Sequence, residues 1–190
     1  MKAVMISVQP YWVFLIIAKA MGWGIKQHKK IEVRKNYPKA EDWNKVVKIY
    51  CSKDKKSFDK IPEKYRPAMK KFLGKVIGKF VCDRIYDITP HCDIPTFVNR
   101  YECVWEYGEA EHCLSFDELK AYLNTKNGYG WHISNLVIYD EPEELFEFLN
   151  YEKYQVCVER DCFSDNCWIC PNNAIVVRPP QSWCYVEEKE

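Results

Sequence analysis

Five short aliphatic runs divide this chain, and no long amphipathic helix separates them. The runs are Ala3 to Val8 (AVMISV), Lys30 to Arg34, Lys45 to Cys51 (KVVKIYC), Lys75 to Ile88 (KVIGKFVCDRIYDI) and Tyr129 to Tyr139 (YGWHISNLVIY). Each is rich in the β-branched and aromatic residues of strands. Helix signals are fewer. Pro10 suits a first helical turn, and the nearly continuous apolar residues Tyr11 to Met21 predict a buried helix that stops at Gly22 and Gly24. Ser115 and Glu118 form an S-x-x-E capping box ahead of Leu119 to Leu123. Glu143 to Leu149, after Pro142, reads as a short amphipathic helix. Strands interleaved with few short helices predict a small α+β barrel, not a doubly wound sheet.

The lysine-rich stretch Lys53 to Lys71, punctuated by Pro62 and Pro67, reads as an insertion: a loop followed by a short helix. Gly78, inside the long Lys75 strand, marks a bulge or a barrel bend. Pro90 to Glu111 is irregular and aromatic. The sequence holds no Gly-rich dinucleotide loop, P-loop or H-E-x-x-H zinc signature. It holds no Ser-centred nucleophile elbow either.

Charge narrows the function classes. Net charge is only +1, but Lys19 to Arg84 carries 20 Lys+Arg against 7 Asp+Glu, and the remainder is acidic. Such asymmetry suggests a basic face for phosphates, or a solvated lysine-rich surface. With 47% hydrophobic and 15% aromatic residues in 190, the chain can bury a core and is not disordered. Residues 1–150 are expected to form the main domain and 151–190 a Cys-rich extension that packs back on it. The apolar run Tyr11 to Ala18 lacks signal-peptide flanks and falls short of the roughly 20 residues that span a bilayer. A cytoplasmic protein without a membrane partner, its ten cysteines mostly reduced, is the expectation.

Residues Lys29 to Pro38 read KKIEVRKNYP and place Lys29, Glu32 and Arg34 within six positions. Residues i and i+2 of a strand share a face, so Glu32 and Arg34 lie together with Lys29 at the entrance. Both signs of charge beside a lysine suit a polar ligand, or proton chemistry on one.

This run and three others resemble the ASCH domain family, a branch of the PUA-like superfamily. The matching pieces are ISVQPYW (Ile6 to Trp12), KKIEVRKNYP, GKFVCDRI (Gly78 to Ile85) and GYGWHISNLVIYDEP (Gly128 to Pro142), in order, over residues 3 to about 149. The family signature G-x-K-x-x-E-x-R is met at Lys29, Glu32 and Arg34, with Gln27 in place of its glycine. The resemblance implies a β-barrel with a cleft against flanking helices, and RNA or a modified nucleoside as ligand. Some members look like amidohydrolases of N(4)-acetylcytidine; others are described as ribonucleases or RNA-binding coactivator domains. The amidohydrolase branch uses a lysine, a threonine three positions on and a late glutamate. Lys29 matches the lysine, Glu32 stands at the threonine position, and Glu109 and Glu111 are the nearest candidates for the glutamate.

The residues carry their own alternatives. Lys29 can act as base or electrophile only if burial or neighbouring cations lower its pKa; otherwise it is a solvated lysine that contacts a phosphate, as Lys30 would be. Glu32 and Arg34 either serve a ligand or pair with each other. Trp12, Trp23, Trp131 and Tyr129 are base-stacking candidates, or core. His132 follows Trp131, so the two face opposite sides of the strand. Ser52 and Lys53 can donate to a phosphate or carbonyl at a strand end.

In the tail, Cys157, Cys162, Cys167 and Cys170 run C-x4-C-x4-C-x2-C. Four thiolates would close a structural zinc site; buried thiols are the alternative. No cofactor beyond that zinc is expected. The closing RPPQSWCYVEE reads as a strand returning to the barrel, with Arg178, Gln181 and Trp183 able to line the cleft. Three functions follow: an RNA- or modified-nucleoside-binding module with a basic cleft; an N(4)-acetylcytidine-type amidohydrolase with Lys29, Glu32 or Glu111 catalytic; and a phage- or mobile-element-style regulatory module that uses its cysteine tail.

Overall fold

The aliphatic run after Met1 forms β1 (Lys2–Val8), whose residues Ala3, Val4, Met5 and Ile6 are fully buried. A strand apolar on successive residues is covered on both faces. β1 pairs in parallel with β3 (Val46–Cys51) and antiparallel with β10 (Trp183–Glu187). With β4 (Val76–Val81) and β9 (Ser134–Glu143), these complete a five-stranded sheet of order β10-β1-β3-β4-β9. The second sheet has the order β2-β8-β5-β6-β7: β2 (Ile31–Arg34), β8 (Gly128–His132), β5 (Ile85–Thr89), β6 (Thr96–Asn99) and β7 (Glu102–Cys103).

These elements come from a computed structural model that describes residues 1–38, 44–89, 96–99, 102–103, 109–124, 126–159 and 174–188. The chain divides into two compact units. One comprises Met1–Tyr11, Ala40–Lys79 and Val137–Glu190; the other comprises Trp12–Lys39 and Phe80–Leu136. The first unit buries Ala3, Met5, Tyr50, Val76, Leu145, Phe148, Val176 and Val186 in one cluster. The second buries Ile31, Val33, Tyr86 and Ile88 against Leu119 and Leu123 of α5 (Phe116–Leu123). The capping box opens α5 as expected. The Ser115 hydroxyl accepts from the Glu118 N–H at 3.3 Å, and the Glu118 carboxylate accepts from the Ser115 N–H at 3.0 Å.

The mixed α+β class holds; among the described residues no closed barrel is detected. Among the described residues each sheet ends in strands with one neighbour, β10 and β9 in one and β2 and β7 in the other. Closure needs the edge strands to pair. The long Lys75 strand is two strands, β4 and β5, broken at residues 82–84. At Gly78 a Cβ would run into the Val137 carbonyl of β9, so the glycine permits close approach of two backbones. Likewise the Tyr129 run splits into β8 and β9 around Ile133.

The first helix is shorter than its apolar run. α1 (Pro10–Ile17) gives way to turns because Lys19 and Ala20 are exposed and offer no apolar face to bury, and Gly22 closes them at φ +65°. The lysine-rich insertion is more helical than its composition suggests. It holds α2 (Lys55–Asp59), a 3₁₀ turn at Glu63–Tyr65, and α3 (Arg66–Lys70). Asp54 is the signal that composition hides: its side chain accepts the Ser57 N–H at 2.6 Å as an N-cap. The Glu143 helix is only a 3₁₀ turn, Leu145–Glu147. The stretch expected to be irregular holds β6, β7 and α4 (Glu109–His112), and α6 (Tyr151–Glu159) opens the tail, whose last strand β10 does return to the sheet. Among the described residues no helix is long and apolar enough to cross a membrane.

Candidate functional site

All four residues of β2 are buried. Ile31 and Val33 enter the apolar cluster over α5. Glu32 and Arg34 occupy the other face, in register with Trp131 and Tyr129 of β8. Lys29 sits just before the strand, held by its backbone N–H, which donates to the Leu15 carbonyl of α1 at 3.1 Å. Alternation thus separates an apolar face from a charged one, and both are covered.

The charged face is a chain of three. The Glu32 carboxylate gives one oxygen to Arg34 at 3.0 Å and the other to Lys29 at 3.5 Å. Side-chain exposure is 2% for Lys29, 8% for Glu32 and 6% for Arg34. The Lys29 Nζ also donates to the His112 carbonyl at 2.8 Å and lies 5.2 Å from the centre of the Trp12 ring. Lys29 is therefore not a solvated phosphate contact. Two cations share one carboxylate out of water, a costly arrangement that only close pairing sustains.

Burial pushes the Lys29 ammonium below its usual pKa; Glu32 and Cys113 pull it back, and Arg34 adds to the depression. Burial, with Lys29 beside it, pushes His112 down to about 4, so its ring is neutral near pH 7. The His112 Nδ1 accepts the Leu114 N–H at 3.1 Å, which puts the ring proton on Nε2. Cys113 between them is left-handed at φ +62°, a conformation that costs a non-glycine residue about 1–2 kcal/mol. It turns the chain from α4 to the α5 cap while the His112 carbonyl meets Lys29. Tyr122 of α5, 40% exposed, has its phenol pKa raised by burial; Arg34 opposes this and Glu32 adds to it.

The sequence-derived candidates scatter. Lys29, Glu32, Arg34 and Trp12 come together. Lys30 is exposed and pairs with Glu111 at 2.7 Å, so Glu111 meets the neighbouring lysine and not Lys29. Trp131 is wholly buried, and Trp23 packs on Phe14 at 5.4 Å. Tyr129 meets Tyr37 at 4.5 Å. His132 does face away from Trp131, and its Nδ1 shares a 2.6 Å hydrogen bond with Asp83. Burial raises Asp83 most, but His132, the Asp83 backbone and Ser134 together outweigh it and hold the carboxyl below its usual value.

Ser52, Lys53 and Arg178 belong to the first unit, the Lys29 group to the second. Lys53 and Arg178 are exposed. Cys157 is buried on α6, and Cys162, Cys167 and Cys170 lie outside the described residues. Among the described residues no group of three or more His, Cys, Asp or Glu could hold a metal. His112, Cys113 and Tyr122 escaped sequence reading. They reach the site through folding over some 80 positions, which no local pattern announces.

No protein-family model matches the sequence, and no curated protein matches it. Solved structures do. Three crystal structures of an ASCH protein from Zymomonas mobilis, two of them single-residue variants, superpose over nearly the whole chain. One variant gives a TM-score of 0.52 at 16% identity, over 99% of this chain and 92% of that one. The other gives 0.51 at 15%, over 98% and 89%. The unsubstituted protein gives 0.50 at 17%, over 98% and 88%.

Proposed function

We propose, on the premise that this chain has the ASCH fold, that it binds a nucleoside or modified base of RNA at Lys29, Glu32 and Arg34. One observation carries the reading: a lysine, a glutamate and an arginine buried together, held by one strand and its lead-in. Strands of an ordinary core do not bury three charges, and such groups gather where ligands are recognised. The three offer donors and acceptors at fixed spacing, as the edge of a nucleobase requires, with the Trp12 ring beside Lys29. Because the charges are buried, recognition rests on hydrogen bonds and stacking more than on phosphate contacts. Affinity should then depend weakly on salt; a steep fall in affinity with salt would instead place binding on the exposed lysines.

A second reading, hydrolysis of an N-acylated cytosine, is favoured by the depressed pKa of Lys29. A neutral amine takes a proton from water as the hydroxyl adds to the acyl carbonyl. The C–N bond then breaks, and the proton passes to the departing amine. Glu32 stands at 3.5 Å to relay it; Glu111 is engaged with Lys30. Incubation with N(4)-acetylcytidine beside Lys29→Met separates the two. Release of acetate that the variant abolishes establishes hydrolysis. Binding without release leaves recognition as the function, and neither binding nor release removes both.

A further inference from the structure

A second buried charge cluster lies in the first unit. The Lys48 Nζ of β3 and the Lys79 Nζ of β4 converge on one oxygen of Glu188, at 3.3 and 3.0 Å. Lys48 also donates to the Tyr139 hydroxyl of β9 at 3.1 Å, and its ammonium lies within 6 Å of the Tyr139 and Phe148 rings. Lys48 and Glu188 are each 7% exposed. Lys79 is 39% exposed, so the cluster opens to water on its side.

The fit of the carboxylate is poor. Both lysines crowd Oε1, while Oε2 is buried with no hydrogen-bond partner among the described residues. A buried acceptor left unmade costs about 1–3 kcal/mol. Two cations and a phenol therefore surround a group with one negative charge and one oxygen in use. The phenol keeps its proton: burial raises its pKa, Glu143 and Glu188 add to this, and Lys79 opposes it. Burial raises Glu188, but Lys79 and Lys48 outweigh it and hold the carboxylate ionised. An oxyanion with three or four oxygens would use all three donors at once, as two-oxygen Glu188 does not.

We propose that Lys48, Lys79 and Tyr139 form a phosphate-type oxyanion site which Glu188 occupies from within the chain. Glu188 follows β10: its N–H donates to the Met1 carbonyl, its own carbonyl accepts from the Met1 ammonium at 3.4 Å, and the preceding Glu187 donates its N–H to the Leu149 carbonyl and pairs its carboxylate with the same ammonium at 2.6 Å. An incoming phosphate would displace it and loosen that end of the sheet. The inference is independent of the Lys29 reading and shares no residue with it.

The test titrates wild type and Glu188→Gln with inorganic phosphate and with cytidine 5′-monophosphate at constant ionic strength. The variant should bind at least one of them about tenfold more tightly than wild type, the effect of removing one competing charge at a half-buried site. Adding Lys48→Met should abolish the gain. Tighter binding of inorganic phosphate marks a free oxyanion, and of the nucleotide a phosphate ester; both support the site. Equal affinities of wild type and variant for both ligands overturn it. Wild type alone supplies a second readout, should the variant not fold. Phosphate, against chloride at matched ionic strength, should speed hydrogen exchange at the Glu187 and Glu188 amides, and unchanged exchange overturns the proposal.

Discussion

Each unit of this protein places one glutamate between two buried or half-buried cations, and the two solve the problem differently. In the second unit Glu32 spreads its charge, with one oxygen on Lys29 and the other on Arg34. In the first, Glu188 takes both lysines on one oxygen and leaves the other unpartnered among the described residues. The Lys29 group is shut off from solvent on all three members; the Glu188 group opens at Lys79. The closed, matched trio is the group proposed above for recognition. An open, mismatched one reads as a site holding a substitute.

The largest effect should come from Glu32→Gln, which removes the negative charge between two buried cations and should cost about 3–5 kcal/mol in denaturant unfolding. Glu188→Gln should cost clearly less, because Lys79 can turn to water. Equal losses would erase the distinction between the clusters. Lys29→Met should change stability little, within about 2 kcal/mol, since an apolar chain replaces a desolvated charge and Glu32 keeps Arg34.

Acid should separate the units in sequence. His112 has a folded pKa of about 4 against an ordinary 6.5. Its unfolded form binds more protons in that window, so stability is lost as pH falls from about 6.5 to about 4. Glu188, lowered from 4.5, contributes stability that is present above that value and lost only further down. Residue-resolved hydrogen exchange on acidification should show Ile31–Arg34 loosening before Trp183–Glu187; the reverse order contradicts these assignments. Lys29 acts at the other end: its folded pKa is below 10.5, so stability rises with pH between that lowered value and 10.5. The smallest effect belongs to Lys30→Ala, an exposed pair with Glu111 that should change stability by less than about 1 kcal/mol.

The same contrast explains what could be read from the sequence. Lys29, Glu32 and Arg34 lie within six positions, and period-two alternation put two of them on one face. Their burial was invisible, because alternating charges on a short strand look like a solvated surface. The capping box at Ser115 and the return of β10 were legible because each depends on local chemistry or an apolar run. The Glu188 cluster draws on positions 48, 79, 139 and 188, and nothing local distinguishes its lysines from the many around them. Sheet closure is hard to read for a related reason. The residue pattern showed five runs and a tail strand where the described residues form ten strands, and which edges pair is decided by contacts far apart in sequence.

The measurement that bears most directly on the central claim is calorimetric titration of N(4)-acetylcytidine into wild type, Lys29→Met and Lys48→Met. Binding by wild type and by Lys48→Met, with at least about a tenfold loss in Lys29→Met, is the expected result for one buried charged contact. Binding that survives Lys29→Met unchanged would contradict the assignment of the nucleoside site to Lys29, Glu32 and Arg34.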